Sequence, residues 1–212
     1  MASATLFAIF LLSALTFYPP STTAQPVTDM NGNIVKNGGV YYILPLFFGA
    51  GGGGIKRART GDETSPLSVV QSPFETDPGQ PWRIRSMFKS LFIPEGRVSI
   101  SYEYVQLGEA FESNEWIAVE GQSEGTFVKV GYPNSLSGFF TIHRASSANS
   151  YKFQFCSSDG KSCGNVGIVK DEAGNRLLAI NQETPFEFVL MQLPSAATKR
   201  STNHEKSYTF SV

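Results

Sequence analysis

Cysteine, histidine and surplus charge are all scarce in this chain. Of its 212 residues two are Cys and two are His, and with His143 and His204 far apart in the sequence they lack the close histidine spacing of a zinc site. No metal or cofactor is expected. With 17 Lys plus Arg against 18 Asp plus Glu, the net charge is −1, so no strong field would gather nucleic acid or an anionic membrane surface. Neither is expected as a partner. Long hydrophobic runs are also missing: the most apolar stretch, Leu6 to Phe17, is short of the roughly 20 residues that a membrane-spanning helix needs. There is no Asn-X-Ser/Thr sequon, so N-glycosylation is not expected. No window joins a cap to a sustained 3.6-residue apolar period, which argues against helices.

Residues 1–24 hold no charged side chain, and their apolar run ends in Pro19-Pro20 and small residues up to Ala24. That pattern reads as a secretory signal peptide cut after Ala24, which predicts a secreted or extracellular protein, or a vacuolar one. Residues 25–193 are then long enough for one domain with its own core. Residues 194–212 turn polar and read as a C-terminal tail. Cys156 and Cys163 flank the turn-forming Ser157-Ser158-Asp159-Gly160-Lys161-Ser162, and in an oxidising compartment they are expected to form a disulfide.

Short β-rich pieces recur along the domain. They are Val40 to Leu44, Leu67 to Gln71, Val98 to Val105, Trp116 to Val119, Thr126 to Val130, Gly138 to His143, Tyr151 to Phe155, Val166 to Val169, Leu177 to Ile180 and Pro185 to Gln192. Turns such as Asp77-Pro78-Gly79 and Ser158-Asp159-Gly160 separate them. The fold class is therefore all-β, a barrel or a sandwich. Similar segments near Tyr41, Ser99 and Tyr151 hint at three units of four strands. Gly49 to Gly54 lacks the following helix and Lys-Ser/Thr of a phosphate loop, and reads as a flexible crossover.

The stretch Arg83-Ile84-Arg85-Ser86-Met87-Phe88-Lys89-Ser90-Leu91-Phe92-Ile93-Pro94-Glu95-Gly96 follows neither the strand nor the helix period. It reads as an ordered, exposed connection that presents a cation.

Taken together, Asn37-Gly38-Gly39-Val40-Tyr41-Tyr42-Ile43-Leu44-Pro45, Arg59-Thr60-Gly61, Pro66-Leu67-Ser68-Val69-Val70-Gln71-Ser72, Phe92-Ile93-Pro94-Glu95-Gly96, Tyr151-Lys152-Phe153-Gln154-Phe155-Cys156 and Cys163-Gly164-Asn165-Val166-Gly167-Ile168 closely resemble the plant Kunitz-type protease inhibitors of the soybean trypsin inhibitor family. The resemblance implies a β-trefoil of twelve short strands with pseudo-threefold symmetry, six in a barrel and six in a cap of hairpins. It implies a monomeric inhibitor, not an enzyme, whose partner is a trypsin-like serine protease. Aligning Phe92 to Gly96 with the family motif makes Lys89-Ser90 the scissile bond, flanked by Phe88 and Leu91, with Asn37 supporting the loop from beneath. A lysine ammonium on its long stem suits the carboxylate at the base of a trypsin-like pocket. Two departures accompany the resemblance. Ser65 occupies the place of the family's first cysteine, and Met87 a place where proline is common.

Other residues compete for these roles. Trp82-Arg83-Ile84-Arg85 imitates the family's reactive sequence, so a shifted register would offer Arg83-Ile84 instead. Lys161 and Lys170 are read as solubilising lysines, and His143 as a structural residue without a triad around it. The alternative functions are a non-inhibitory storage or recognition trefoil, and an inhibitor of another protease class acting through a different loop.

Overall fold

The computed structural model describes residues 25–47, 51–102, 114–121, 125–180 and 182–193. The expected signal peptide, the polar tail and the end of the strand expected at Val98 to Val105 lie outside the described residues. Thirteen strands and no helix occur among those residues.

Period-2 alternation builds a barrel from six of the strands: β1 (Val40–Pro45), β4 (Trp82–Ser86), β5 (Gly96–Tyr102), β8 (Gly138–Arg144), β9 (Tyr151–Ser157) and β13 (Phe188–Gln192). Antiparallel pairing runs β1–β4–β5–β8–β9–β13 and closes from β13 back to β1, which leaves the ring without an open edge. Each strand sends alternate side chains inward: Tyr41 and Ile43, Trp82 and Ile84, Val98 and Ile100, Phe140 and Ile142, Tyr151 and Phe153, Phe188 and Leu190, all buried. Each contributes about 1.5–3 kcal/mol on burial. A run of aromatic contacts links the layers, from Trp82 edge-on to Trp116 at 5.2 Å, through Trp116 to Phe153 at 5.4 Å, to the stacked Phe153–Phe188 pair at 4.4 Å.

Three hairpins cap the barrel. They are β2 (Ile55–Ala58) with β3 (Ser68–Gln71), β6 (Trp116–Glu120) with β7 (Thr126–Val130), and β11 (Gly167–Lys170) with β12 (Arg176–Ala179). Their inner strands meet in a triangle through β3–β7, β7–β12 and β12–β3 pairs. The three units open at β1, β5 and β9, beginning at Val40, Gly96 and Tyr151, so the repeat expected from the sequence is real and slightly displaced. Six strands in a closed barrel capped by three hairpins, in three successive units, make the fold a β-trefoil.

The structure corrects the sequence reading at several places. A thirteenth strand, β10 (Cys163–Asn165), pairs with β9 outside the six-plus-six plan and sets Cys163 directly opposite Cys156. The two are bonded as a disulfide. Strand β2 was not expected. Nor was β4, in which Trp82 and Ile84 point inward and Arg85 is exposed: its alternation vanishes when Arg83 to Gly96 is read as one window. Of the segment expected to be a flexible crossover, Gly49 and Ala50 lie outside the described residues, and Gly52 to Gly54 are buried against other backbone. A Cβ on Gly54 would lie 1.9 Å from the Pro78 carbonyl oxygen, and one on Gly53 would lie 2.2 Å from that of Phe74. Only glycine lets these backbones touch.

Candidate reactive loop

Between β4 and the Ile93–Gly96 segment the chain leaves the barrel for a short exposed loop, Met87 to Leu91. Met87, Phe88 and Leu91 are 58%, 63% and 91% exposed, and Lys89 is exposed between them. Such apolar exposure is costly unless it serves an interaction.

Both roots of the loop are fixed. On the outgoing side, β4 pairs with β5 as far as Ser86 opposite Val98, and the turn Asn37-Gly38-Gly39 bonds across to Ile84 through Gly38 N–H to Ile84 O at 2.8 Å and Ile84 N–H to Gly39 O at 3.1 Å. On the return side an N-terminal strap laces the chain down: Val27 N–H donates to Ile93 O at 2.8 Å, Ile93 N–H to Val35 O at 2.9 Å, and Asn37 N–H to Leu91 O at 3.0 Å. Val27, Val35 and Ile93 are fully buried, so these bonds are shielded from water. Arg144 closes on Glu95 with its Nε at 2.8 Å from the carboxylate.

Asn37 stands under the loop itself. Its Nδ2 donates to Ser90 O at 2.9 Å and to Phe88 O at 3.5 Å. Its Oδ1 accepts from Ser86 N–H at 2.9 Å. One amide therefore spans the peptide carbonyls on both sides of Lys89 and also the outgoing root. Two serines add local bonds: Ser86 Oγ accepts from Phe88 N–H at 3.1 Å and Ser90 Oγ from Phe92 N–H at 3.2 Å. The Asn37 turn is anchored in turn by the barrel, because the Tyr41 hydroxyl accepts from Lys36 N–H at 2.9 Å. Burial raises the Tyr41 pKa above the usual phenol value, keeping it a neutral partner. Gly38, at φ 75°, supplies the left-handed step that aims Asn37 at the loop.

The competing residues lie elsewhere. The Arg83-Ile84 peptide sits inside β4 between β1 and β5, with Ile84 fully buried and Arg83 Nη1 bonded to the Gly38 carbonyl. A protease cleft cannot reach it, and that register is withdrawn. Lys161 lies at the tip of the disulfide-closed β9–β10 hairpin, where its N–H donates to the Asp159 carboxylate at 3.1 Å. Bonds from Ser157 and Lys161 hold that carboxyl below its ordinary pKa, and the backbone there is folded back at Gly160, φ 70°. Lys170 ends β11, exposed. His143 Nε2 lies 3.0 Å from Thr141 Oγ1, and burial lowers its pKa. Sequence reasoning missed the parts played by Ser86, Tyr41 and the Val27–Val35 strap. The one visible signal was a serine three residues to one side of Lys89 and another directly after it.

Residues 27–192 match the family described as "Trypsin and protease inhibitor", the legume Kunitz family. The chain is 41% identical over 179 residues to chymotrypsin inhibitor ECI of Erythrina variegata, covering 81% of this chain and 98% of that protein. It is 38% identical over 166 residues to trypsin inhibitor DE-3 of Erythrina caffra, covering 76% and 95%. Its fold superimposes on soybean trypsin inhibitor in complex with porcine pancreatic trypsin with a TM-score of 0.73 at 36% identity, covering 80% of this chain and all of that one. A closed trefoil with a braced, exposed loop and these relatives places the chain in the legume Kunitz family of serine protease inhibitors, which are not enzymes.

Proposed function

We propose that this protein inhibits trypsin-like serine proteases by offering Lys89 to the specificity pocket, with Lys89-Ser90 laid across the catalytic residues as the scissile bond. The observation that carries the reading is the Asn37 amide, bonded to the carbonyls of Phe88 and Ser90 and centred on Lys89. A substrate is cleaved and lost because its new ends diffuse apart. Here the ends stay bonded to one scaffold, which favours religation, and a pre-organised loop gives up little entropy on docking. Phe88 and Leu91 supply apolar contacts beside the lysine, and such contacts carry much of the energy of protein interfaces. The soybean relative's complex with trypsin supports a partner of this type.

Routing through the secretory pathway, as a secreted or vacuolar monomer acting in plant defence or in control of an endogenous protease, belongs to the same proposal. The Cys156–Cys163 disulfide suits an oxidising compartment. Titration of active trypsin with the purified protein should reach a stoichiometric end point, and a mass spectrum after long incubation should show clipping at Lys89-Ser90 alone. Lys89→Ala should abolish the inhibition. A clip elsewhere, or full potency in the variant, refutes the assignment. A protein with no end point against trypsin, chymotrypsin, subtilisin or a cysteine protease would instead be a storage or recognition trefoil.

A further inference from the structure

The chain is nearly neutral, yet among the described residues four exposed cations, Lys36, Arg85, Lys89 and Arg97, belong to the loop and the segments that root it. On the outer face of the β4–β5 ladder, Arg85 stands opposite Ser99. Arg97 stands at the rung where Met87 N–H reaches its carbonyl at 3.4 Å. Both are exposed and both lie at the loop end of the ladder. Arg97 is held in place over the Phe139 ring, 4.4 Å from its centroid. On the other flank Lys36 is exposed at the bridge to Phe92. With Lys89 these make a cationic collar around the loop. The acid within the loop's return segment, Glu95, is bonded to Arg144, so it neutralises a cation from outside the collar.

We propose that this collar steers the inhibitor onto proteases whose cleft rim is negatively charged, which would make it selective by rate among enzymes sharing one specificity pocket. The inference rests on the reading of Lys89 above. Lys89 enters a pocket and is desolvated, whereas Arg85, Arg97 and Lys36 stand back from it, where charges stay solvated and act at a distance. Rim charges of this sort change association rates and their salt dependence more than dissociation rates. Fields focused on a cleft raise association rates by about 10- to 1000-fold, and salt removes the gain.

Stopped-flow association with an anionic and a cationic trypsin isoform, each at low and high ionic strength, tests the proposal. The expected result is association at least about tenfold faster with the anionic isoform at low salt, converging with the cationic one at high salt. In the variant Arg85→Gln/Arg97→Gln most of that difference should vanish, the loss falling on the association rate. Retention of Arg97 in a single Arg85→Gln variant guards against a folding artefact, and there a partial loss is expected. Stoichiometric inhibition of both isoforms with equal, salt-independent rates refutes the collar alone. Failure to inhibit either isoform refutes the Lys89 reading, and the collar with it.

Discussion

Replacing Asn37 with alanine separates holding the loop from offering the lysine. The variant loses the bonds at 2.9 Å to Ser90 O and from Ser86 N–H, and the longer one at 3.5 Å to Phe88 O. At about 1 kcal/mol for each short bond and less for the long one, the loop loses roughly 2–3 kcal/mol of preference for its bound shape. Affinity then falls by the fraction of molecules still in that shape. Inhibition of trypsin should weaken by about 30- to 150-fold, since about 1.4 kcal/mol is tenfold. The backbone bond from Asn37 N–H to Leu91 O survives the change, so the fold stands. The second consequence is kinetic: without an amide across the cut, the ends separate and the inhibitor becomes a slow substrate. Progress curves should show inhibition fading over hours while a mass spectrum records rising cleavage. Asn37→Asp is the sharper test. It keeps the acceptor for Ser86 but sets a carboxylate against the carbonyls of Phe88 and Ser90, so it should be worse than alanine. Potency within threefold of the parent in both variants, with no added clipping, would refute the bracing argument.

Two further outcomes follow from the scaffold. Lys129→Met should cost about 3–5 kcal/mol in denaturant unfolding, because it leaves the Glu63 carboxylate, whose side chain is only 8% exposed, without its cation; Glu63→Gln/Lys129→Met together should recover most of that loss. Asp77 is held down to about 2 by bonds from Lys56 and Ser72. A lowered carboxylate stabilises the fold above its unfolded value of about 3.9 and loses that contribution as pH falls through about 2. Asp77→Asn should therefore cost on the order of 1–2 kcal/mol at neutral pH, after discounting for its solvent exposure, and almost nothing near pH 2, as read by urea unfolding at both pH values.

Local features of the chain were readable because their causes are local. Thr126 to Val130 carries its alternation in five residues and forms β7 at those bounds, and the two cysteines flank a turn that folds into their hairpin. Strand β4 was missed because five alternating residues run straight into an unpatterned loop, and the loop's composition masked them. The Gly52 to Gly54 segment was misread because its constraint is contact with Phe74, Asp77 and Pro78, which a window around the glycines does not contain. Bracing by Asn37 is a still longer relation, reaching across 49 to 53 positions of sequence. No local pattern encodes it, and only the resemblance pointed there.

The scaffold must also work without a disulfide at Ser65, where the resemblance places the family's first cysteine. Ser65 is exposed and lies in the connection between β2 and β3. That connection is tied down by a polar knot. Glu63 accepts from Ser68 Oγ at 2.8 Å and from Thr60 N–H at 3.1 Å, Thr60 and Ser68 hydroxyls meet at 2.6 Å, and Lys129 of β7 binds both Glu63 and Ser68. The tether thus joins the first repeat to the second without a covalent bond. A disulfide acts mainly on the unfolded chain by shortening its loops, whereas this knot acts only on the folded state and fails if a single member is removed. The difference should leave the reactive loop untouched, because the loop's bonds come from the strap at Val27 to Asn37 and from β5, not from the β2–β3 connection. Global stability and inhibitory geometry are therefore separable here: Lys129→Met lowers the unfolding midpoint and leaves trypsin titration at its end point, while Asn37→Ala weakens trypsin inhibition far more than it lowers the unfolding midpoint.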